Sequence, residues 1–480
     1  MYPGVVGDGL IHRIDGGPAR HDGAVSVDLI SSLTARLESA RVVSDPDVLA
    51  SHAADRAVFA PTGSPLALVR AHSLADVSAT LAWAHEHRVP VVPQGARTGL
   101  SGGANAVDGC VLLSVEGMDR ILTIDPVEQI AVVEPGVLNA TVTRAAHEYG
   151  LTYLPDPSSW EISTIGGNVA TNAGGLCCVK YGVTRDFVRG LQVVLADGRV
   201  MRTGRATAKG VAGYDLTSLF VGSEGTLGVI TEVTLALRPM PAPALTAAAF
   251  FPEVTQACRV VTEVMSNGLR PSLLELMDGP SLEVVSRLQD LGFPPGTDGM
   301  LICSSDDPDR QGKDLEAFAR IATEHGGEVV VAEDGQEAEL LIQARRLVNP
   351  AHAALGTDLV DDVCVPRGRL VDLLRGIREI AARYDVLVTT AGHAGDGNMH
   401  PSVVFNANDP DETERAQAAF GAIMQLGIDL GGTITGEHGV GRLKSAWLGR
   451  ELDPVAMTTQ RAIKDALDPR GILNPGSVLS

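Results

Sequence analysis

Four loops rich in glycine and serine constrain this chain more than any other feature of its sequence. They cover residues 93–103, 157–159, 166–175 and 222–230, and strand-like runs separate them. Glycine lets successive backbone N–H groups converge on an anion, because it has no side chain to obstruct them. Any one of these loops is equally well explained as a set of tight turns. Four of them so close together suit a long dinucleotide that is wrapped by backbone amides.

The common nucleotide-binding signatures are absent. The chain contains neither Gly-x-Gly-x-x-Gly nor a Walker A motif, so a Rossmann site of the usual kind is not expected. One Gly-x-Ser-x-Gly match occurs at residues 99–103 and would make Ser101 a hydrolase nucleophile. That motif needs a helix directly after the serine, whereas residues 104–109 lead into a strand. A serine hydrolase is therefore disfavoured.

The periodicity of apolar residues divides the chain into lobes. The predicted helices cover residues 27–40, 73–87, 252–266, 309–325 and 453–467. The predicted strands cover residues 89–93, 110–115, 130–134, 191–195 and 229–237, with a hairpin turn at Asp197-Gly198. Prolines 239, 241 and 243 mark the clearest boundary. We expect a flexible arm (1–25), a dinucleotide-binding domain (26–241), a second α+β domain (242–435) and a C-terminal segment (436–480).

Charge and composition exclude several classes of protein. The chain has 480 residues with 38 basic and 59 acidic side chains, a net charge of −21. That charge repels phosphate backbones, so no nucleic-acid partner is expected. No apolar run is long enough to span a membrane, and the N-terminus lacks a signal core. Six cysteines without framework spacing suit a reducing cytoplasm, and none forms an iron–sulfur run.

Two glycine-wrapped segments of the second half carry metal-ligand chemistry. Residues 392–400 contain His393 and His400, and residues 436–441 contain Glu437 and His438. The two histidines can face one point if the loop between them folds back. A carboxylate from the second segment would then complete a His/His/Glu site with open positions for substrate. A lone buried histidine is usually a satisfied core group, but this grouping favours a site.

These motifs resemble a known family. Residues 95–103, 156–159, 166–175, 213–216 and 222–230 are similar to the vanillyl-alcohol-oxidase-type (PCMH-type) FAD domain, and more narrowly to FAD-linked D-2-hydroxyacid dehydrogenases such as the glycolate oxidase D-subunit, D-lactate dehydrogenase and D-2-hydroxyglutarate dehydrogenase. The resemblance implies an α+β fold of two lobes, in which a substrate (cap) domain with an antiparallel sheet follows the FAD domain. It runs from about residue 53 to the C-terminus.

The resemblance also implies which residues hold FAD. They are Pro93, Gly95, Ala96, Arg97, Thr98, Gly99, Ser101, Gly102, Pro157, Ser158, Ser159, Gly166, Gly167, Asn168, Thr171, Gly174, Gly175, Tyr181, Glu224, Gly225, Gly228, Ile230 and Asn474. Relatives often have glycine at the position of Arg97, whose guanidinium either contacts the pyrophosphate or points outward. Residues 94–103 contain no histidine for covalent attachment, so FAD is expected to dissociate. The adjacent Cys177 and Cys178 are expected to pack rather than to act in redox chemistry.

In the second lobe, the resemblance implies that His393, His400 and Glu437 bind a divalent metal, with zinc favoured and manganese or iron as alternatives. It implies that His438 is the general base, titrating near neutrality. Arg345 resembles the family arginine that clamps the substrate carboxylate, although Arg346 could take that place. Asn398 is expected to touch substrate or flavin.

The predicted reaction is oxidation of a D-2-hydroxyacid to the 2-oxoacid, with hydride transfer to flavin N5. No basic residue for a second carboxylate is evident around residues 360–363, which favours D-lactate or glycolate over D-2-hydroxyglutarate. The alternatives are a metal-free FAD oxidase of another alcohol, a non-enzymatic FAD subunit and a metallohydrolase. An electron-transfer flavoprotein, a quinone-linked subunit or a cytochrome would accept the electrons. A homodimer and peripheral attachment to a membrane through a partner also remain open.

Overall fold

The computed structural model describes residues 23–38, 41–207 and 209–479, and its first layer is a small sheet. The strands are β1 (Val42–Val43), β2 (Ala67–Arg70), β3 (Val91–Gln94) and β4 (Val111–Ser114). Their order is β1-β2-β4-β3, with β2, β4 and β3 parallel. All four residues of β4 are buried, as a parallel strand covered on both faces requires. The flanking helices are α1 (Gly23–Thr34), α2 (Pro46–His52) and α3 (Leu74–His87).

A second sheet completes the first lobe. The next strands are β5 (Ile121–Asp125), β6 (Ile130–Val133), β7 (Leu151–Thr152), β8 (Val188–Val194), β9 (Val200–Gly204), β10 (Val229–Ala236) and β11 (Arg238–Pro239). Five of them form an antiparallel sheet of order β5-β6-β10-β8-β9, and β7 pairs with β11. The helices of this part are α4 (Asn139–His147), α5 (Ile165–Thr171), α6 (Cys178–Tyr181), α7 (Thr184–Phe187) and α8 (Leu216–Phe220).

The second lobe contains one large antiparallel sheet. Its eight strands are β12 (Leu245–Phe251), β13 (Leu273–Asp278), β14 (Gly299–Ser305), β15 (Glu328–Val331), β16 (Thr357–Val360), β17 (Val363–Cys364), β18 (Leu387–His393) and β19 (Asn398–Phe405). The order is β15-β12-β14-β13-β18-β19-β16, and β17 also pairs with β19. The helices here are α9 (Val254–Ser266), α10 (Gly279–Leu288), α11 (Gln311–Glu324), α12 (Gly335–Arg346), α13 (Val348–Leu355), α14 (Leu370–Tyr384) and α15 (Pro410–Asp429), with a 3₁₀ turn at Arg367–Arg369.

Both faces of the large sheet are covered, which explains the continuous apolar runs of its strands. Along β12, Ala247 and Ala249 pack with α9, α11, α14 and α15 on one face. The alternate residues, Ala248 and Phe250, pack with α10, α12 and α13 on the other face. Successive side chains of a strand point to opposite faces, so each residue of such a strand meets a core.

The C-terminal segment returns to the first lobe. Two further helices, α16 (Ser445–Glu451) and α17 (Pro454–Leu467), lead to residues 472–474, which pair with β3 beside Val91. Asp468 is buried and accepts hydrogen bonds from the N–H groups of Ile472 and Leu473. Lys464 donates to Asp468 and to the carbonyl of Thr226. These bonds hold the chain end against the first and fourth glycine loops.

Most of the predicted elements are confirmed, and the fold class is α+β. Helix α3 begins after Ser73, whose hydroxyl accepts from the Asp76 N–H as an N-cap, and the Asp197-Gly198 turn joins β8 to β9. The predicted helix 27–40 was wrong at both ends, because α1 is Gly23–Thr34. Residues 1–22 of the predicted arm lie outside the described residues, and residues 23–25 belong to α1.

We predict that Asp468→Ala releases the chain end. Two buried N–H groups and an ammonium lose their acceptor, which should cost about 2–4 kcal/mol of unfolding free energy. Denaturant unfolding measures this cost, and hydrogen exchange should become faster at residues 472–474. The control is Asp465→Ala on the exposed face of α17, which should change stability by less than about 0.5 kcal/mol. Unchanged exchange in Asp468→Ala would contradict this role.

Candidate active site

A cleft runs between the glycine loops. The empty space within it, including the open solvent at its mouth, is about 1440 Å³. Many of the residues predicted to hold FAD line it. They are Pro93, Gly95, Ala96, Arg97, Thr98, Gly99, Ser101, Pro157, Ser158, Ser159, Gly166, Gly167, Asn168, Thr171, Gly174, Glu224, Gly225, Gly228 and Ile230. Glu437 and His438 line the same cleft. The glycine loops and the predicted metal-binding segment therefore share one cavity.

The first loop is held rigidly behind the cleft. Gln94, at the end of β3, donates from its amide nitrogen to the carbonyls of His52 and Ala104, both at 2.8 Å. Arg97 adopts a left-handed backbone with φ of 55°, a conformation that glycine adopts more easily. Its guanidinium donates to Glu116 at 3.0 Å, and the residue also lines the cleft. The guanidinium is thus engaged with Glu116, and its contact with a pyrophosphate stays a prediction.

Helix α5 brings small residues close to the cleft and to the second lobe. Thr164 caps the helix by accepting from the Gly167 N–H, and Gly166 packs so closely on Pro135 that a side chain there would collide. Gly174 lies against the Glu437 carboxylate and the Cys178 thiol, where a Cβ atom would also collide. This glycine is needed for close approach of the two lobes, in addition to any contact with a cofactor.

The two predicted metal-binding histidines lie on one β-hairpin. His393 ends β18 and pairs with Asn398, while His400 pairs with Ala391 on the neighbouring strand β19. Side chains at i and i+2 of a strand share a face, so this register places both imidazoles on the same side of the sheet. Their ring centroids are 5.1 Å apart. The fold-back required by the sequence argument is a turn of residues 394–397 within a sheet.

Glu437 meets this pair from the C-terminal segment. Its Oε1 atom lies 3.3 Å from His393 Nε2, 3.2 Å from His400 Nε2 and 3.9 Å from His438 Nε2. The donor atoms of His393, His400 and Glu437 can all lie within 4.8 Å of one another, which is compatible with a metal site. The His438 ring stacks on His400 with centroids 5.0 Å apart. Nitrogen and oxygen donors thus converge beside the cleft.

Asp362 holds the segment that carries Glu437 and His438. This carboxylate is fully buried, and one of its oxygens accepts from the Glu437 N–H at 2.9 Å, the His438 N–H at 2.8 Å and the Thr435 hydroxyl at 2.8 Å. Its other oxygen lies 3.7 Å from His400 Nδ1. Three donors on one oxygen fix the turn, so the two adjacent side chains diverge in set directions.

Electrostatics inside the cluster favour negative carboxylates. Burial by itself would raise the pKa of Glu437, but His393 and His400 bring it well below the ordinary value. Burial opposes a charged His393, whereas Glu275 and Glu437 raise its pKa well above the ordinary value. Burial lowers the pKa of His438 to about 4, so this ring is neutral at pH 7. The sequence predicts that His438 titrates near neutrality, whereas its buried surroundings lower its pKa to about 4.

A second carboxylate joins the C-terminal segment to the first lobe. Glu224 is buried, and its oxygens accept from the N–H groups of Val440 at 2.7 Å and Gly441 at 2.9 Å. The Ser101 hydroxyl donates to the His438 carbonyl at 3.1 Å, which leaves it engaged in structure rather than presented as a nucleophile. Burial raises the pKa of Glu224 to about 7, although the two N–H groups favour its charged form.

Four predicted FAD contacts are not among the residues that line the cleft. Gly102 and Gly175 pack against Ala60 and the Asp156 backbone. The Tyr181 hydroxyl donates to Asp306 at 2.5 Å, and its ring lines a separate pocket with Lys180 and Arg270. Asn474 lies behind the loops, where its amide nitrogen donates to the carbonyls of Gly103 and Glu224. These four residues thus support or neighbour the cleft without lining it.

Of the predicted catalytic residues, His438 lines the cleft, whereas Asn398 and Arg345 do not. Asn398 is buried beside Gly436, and its Oδ1 has no hydrogen-bond partner. Arg345 does not line the cleft, because its Nε donates to the buried Glu275 at 2.9 Å. Arg346 pairs with Glu339 on the exposed side of α12. Of the two arginines, Arg345 is the one that reaches the cluster, through a carboxylate.

The sequence argument missed two members of this cluster. Glu275 accepts from His393 Nδ1 at 2.7 Å, and Asp362 organises the opposite side. Each is a lone or paired acid in an otherwise apolar run, Leu273–Asp278 for Glu275 and residues 359–363 for Asp362. Acids are rarely buried without a partner, so an acid in such a run was the available signal.

Sequence comparisons agree over most of the chain. The profile of the FAD binding domain matches residues 65–204, and that of FAD linked oxidases, C-terminal domain, matches residues 240–478. Glycolate oxidase subunit GlcD of Bacillus subtilis is 41% identical over 447 residues, covering 91% of this chain and 95% of that protein. D-lactate dehydrogenase of Anaerostipes hadrus is 35% identical over 431 residues, covering 86% and 89%.

Solved structures agree on the fold. Substrate-bound p-cresol methylhydroxylase has a TM-score of 0.78 at 20% identity and covers 96% of this chain and 98% of its own. The 4-ethylphenol oxidase of Gulosibacter chungangensis has the same TM-score at 18% identity, with the same coverage. The fold is thus of the vanillyl-alcohol-oxidase type. Among the described residues, no helix has the length and apolar character needed to cross a membrane.

We predict that Glu224→Gln flattens the pH dependence of stability. Glu224 has a pKa of about 7 in the folded protein and an ordinary value near 4.5 when unfolded, so the folded state holds the proton more tightly. Its favourable contribution is complete below about pH 4.5 and is lost as the pH rises through 7. Relative to Glu224→Gln, the wild type should therefore lose about 1–3 kcal/mol between pH 4.5 and 7.5.

Urea unfolding of both proteins at those two pH values, with saturating FAD, measures the difference. Glu232→Gln on β10 is the control, because this carboxylate pairs with Arg202 at the surface, away from the C-terminal segment. Equal pH slopes in the wild type and Glu224→Gln would show that the carboxylate is not poised in this way.

Proposed function

This chain belongs to the family of FAD-linked oxidoreductases that includes glycolate oxidase subunits and D-lactate dehydrogenases, and on this basis we propose that it oxidises a small D-2-hydroxyacid to the 2-oxoacid. One observation carries the proposal. Glu437 and His438 line the same cleft as the glycine loops. A proton acceptor, a set of metal-ligand donors and a dinucleotide-sized cleft then serve one reaction centre.

The residues of the cleft fit FAD. The glycines that line it leave backbone N–H groups accessible, as a pyrophosphate requires. Asn168 also lines the cleft, and its buried amide nitrogen has no hydrogen-bond partner in the protein. An unpaired buried donor is costly unless a ligand accepts its hydrogen bond. When bound, FAD supplies the acceptor of the hydride that leaves the substrate carbon.

The donor cluster fits a divalent cation. Among the carboxylates that touch the imidazoles, Glu275 is balanced by Arg345, while Glu437 and Asp362 face His393, His400 and His438. Imidazoles that bind a metal are neutral, and in that state the two carboxylates leave two negative charges that need compensation. A cation of charge +2 held by His393, His400 and Glu437 restores neutrality, and it would polarise the substrate hydroxyl as a Lewis acid. The mixed nitrogen and oxygen donors favour zinc, with manganese or iron as alternatives.

In this mechanism His438 removes the hydroxyl proton. Its ring is neutral at pH 7, so it can accept a proton, and its backbone is fixed by Asp362. Stacking on His400 restricts the ring orientation. Neighbouring Glu437 contacts the other two imidazoles, so adjacent residues perform separate tasks.

The names of the relatives support a small substrate and a separate electron acceptor. Glycolate and D-lactate, which the names of the relatives contain, each carry one carboxylate. Lys444, a basic residue near the cluster, is paired with Asp361 and is therefore not available for a second substrate carboxylate. We place the acceptor on a partner protein. The GlcD relatives are named as subunits, and the Arabidopsis thaliana relative is named D-lactate dehydrogenase [cytochrome].

We predict that anaerobic addition of D-lactate or glycolate bleaches the flavin absorbance of the purified protein, because the substrate reduces FAD. L-lactate is the control and should leave the band unchanged. A flavin band that no D-2-hydroxyacid bleaches would overturn the substrate class while leaving the fold intact. A protein that binds no FAD after reconstitution would overturn the proposal altogether.

We predict that His438→Asn lowers kcat by about 10²- to 10⁴-fold, the usual contribution of a general base, with zinc and FAD contents unchanged. His400→Ala should lose the metal as well, because it removes a ligand. Metal analysis of the purified proteins and single-turnover flavin reduction measure both effects. His87→Asn, at the exposed end of α3, is the control variant. Wild-type rates in His438→Asn would show that another group takes the proton.

A further inference from the structure

We propose that Glu275, held by Arg345, is a positioning residue that sets the orientation and tautomer of His393. This inference rests on the proposed function, because it concerns how the chain prepares His393 to bind a metal. It gives Arg345 a role beside the one that the family resemblance implies, which is to clamp the substrate carboxylate.

The Glu275 carboxylate is hydrogen-bonded to two side chains of the described residues, His393 and Arg345. It belongs to β13, which pairs with β18 through Leu276 and Gly392, so the same register sets Glu275 opposite His393. The side chain is 1% exposed. One oxygen accepts from His393 Nδ1 at 2.7 Å, and the other accepts from Arg345 Nε at 2.9 Å. Each oxygen therefore has one ionisable partner.

The contact at Nδ1 decides what the other ring nitrogen can do. A carboxylate only accepts hydrogen bonds, so Nδ1 of His393 carries the proton. An imidazole that binds a metal is neutral, and with the proton on Nδ1 its lone pair is on Nε2, the atom that faces Glu437 at 3.3 Å. Carboxylates that hold the second nitrogen of a histidine are a general device for orienting metal ligands.

Arg345 supplies the counter-charge for this buried carboxylate. It lies in the last turn of α12, and its side chain is 14% exposed. A buried carboxylate without a counter-charge is strongly disfavoured. Removing the guanidinium would take away the donor that fixes one oxygen of Glu275, so the carboxylate would no longer be held against His393. An effect on metal binding follows.

The experiment is zinc binding by purified FAD-loaded protein, measured by competition with a chromophoric chelator. The wild type should bind one zinc. Glu275→Gln should bind it more weakly by on the order of 10- to 100-fold, the usual effect of losing such a partner. Glu275→Asp, which keeps the charge, should be intermediate. Flavin content and circular dichroism verify that each variant is folded.

The matched control is Asp278→Asn on the same strand. Its carboxylate is equally buried, but it binds the Ser281 hydroxyl and the Thr390 N–H and touches none of the imidazoles. This variant should be less stable than the wild type and should keep wild-type zinc affinity. A merely structural role for Glu275 would make the two variants alike in both measurements.

Arg345→Met separates the two roles of the arginine. If it acts through Glu275, zinc affinity falls, and the double variant with Glu275→Gln is little weaker than either single variant. If it only clamps substrate, KM for the hydroxyacid rises while zinc affinity stays the same, and our inference is wrong. Wild-type zinc affinity in Glu275→Gln also overturns it. A wild type that binds no zinc would instead reject the proposed metal site, and this inference with it.

Discussion

One carboxylate that contacts three imidazoles joins the C-terminal segment to the large sheet. Glu437 comes from a segment near the C-terminus, whereas His393 and His400 come from a hairpin of the large sheet. Opposite charges favour the contact between the carboxylate and the imidazoles. The same charges require that each acid of the cluster has a cation or a hydrogen-bond donor beside it. The surrounding bonds serve to hold this carboxylate in place.

Two further carboxylates provide that support from opposite sides. Asp362 belongs to the second lobe and binds the backbone on either side of Glu437, while Glu224 belongs to the first lobe and binds Val440 and Gly441. Each lobe thus holds the segment through a carboxylate that accepts hydrogen bonds from its backbone N–H groups. The N–H groups of Glu437, His438, Val440 and Gly441 therefore have acceptors although the stretch is irregular. Glu437 and His438 are thereby held where they line the same cleft as the glycine loops.

Local patterns were sufficient for much of this description. The hairpin at Asp197-Gly198 and the N-cap at Ser73 follow from short-range rules of turn and cap chemistry. The glycine loops can also be recognised from local residue types, since backbone amides are accessible where side chains are absent. Helix ends were less well predicted, because α1 begins and ends earlier than its apolar spacing indicates. Frayed ends depend on what packs against them.

The motifs of the sequence were sufficient to identify the fold family by resemblance and to predict the loops that line the cleft. They also predicted the grouping of His393, His400 and Glu437, whose donor atoms converge in the structure. Only the tertiary structure assigned a partner to His393. Glu275 lies 118 residues before it and becomes its neighbour through strand pairing. Tyr181, which is predicted to bind FAD, donates its hydroxyl to Asp306 and does not line the cleft. Pairing between distant strands has no local signature, so contacts of this kind appear only when the chain is folded.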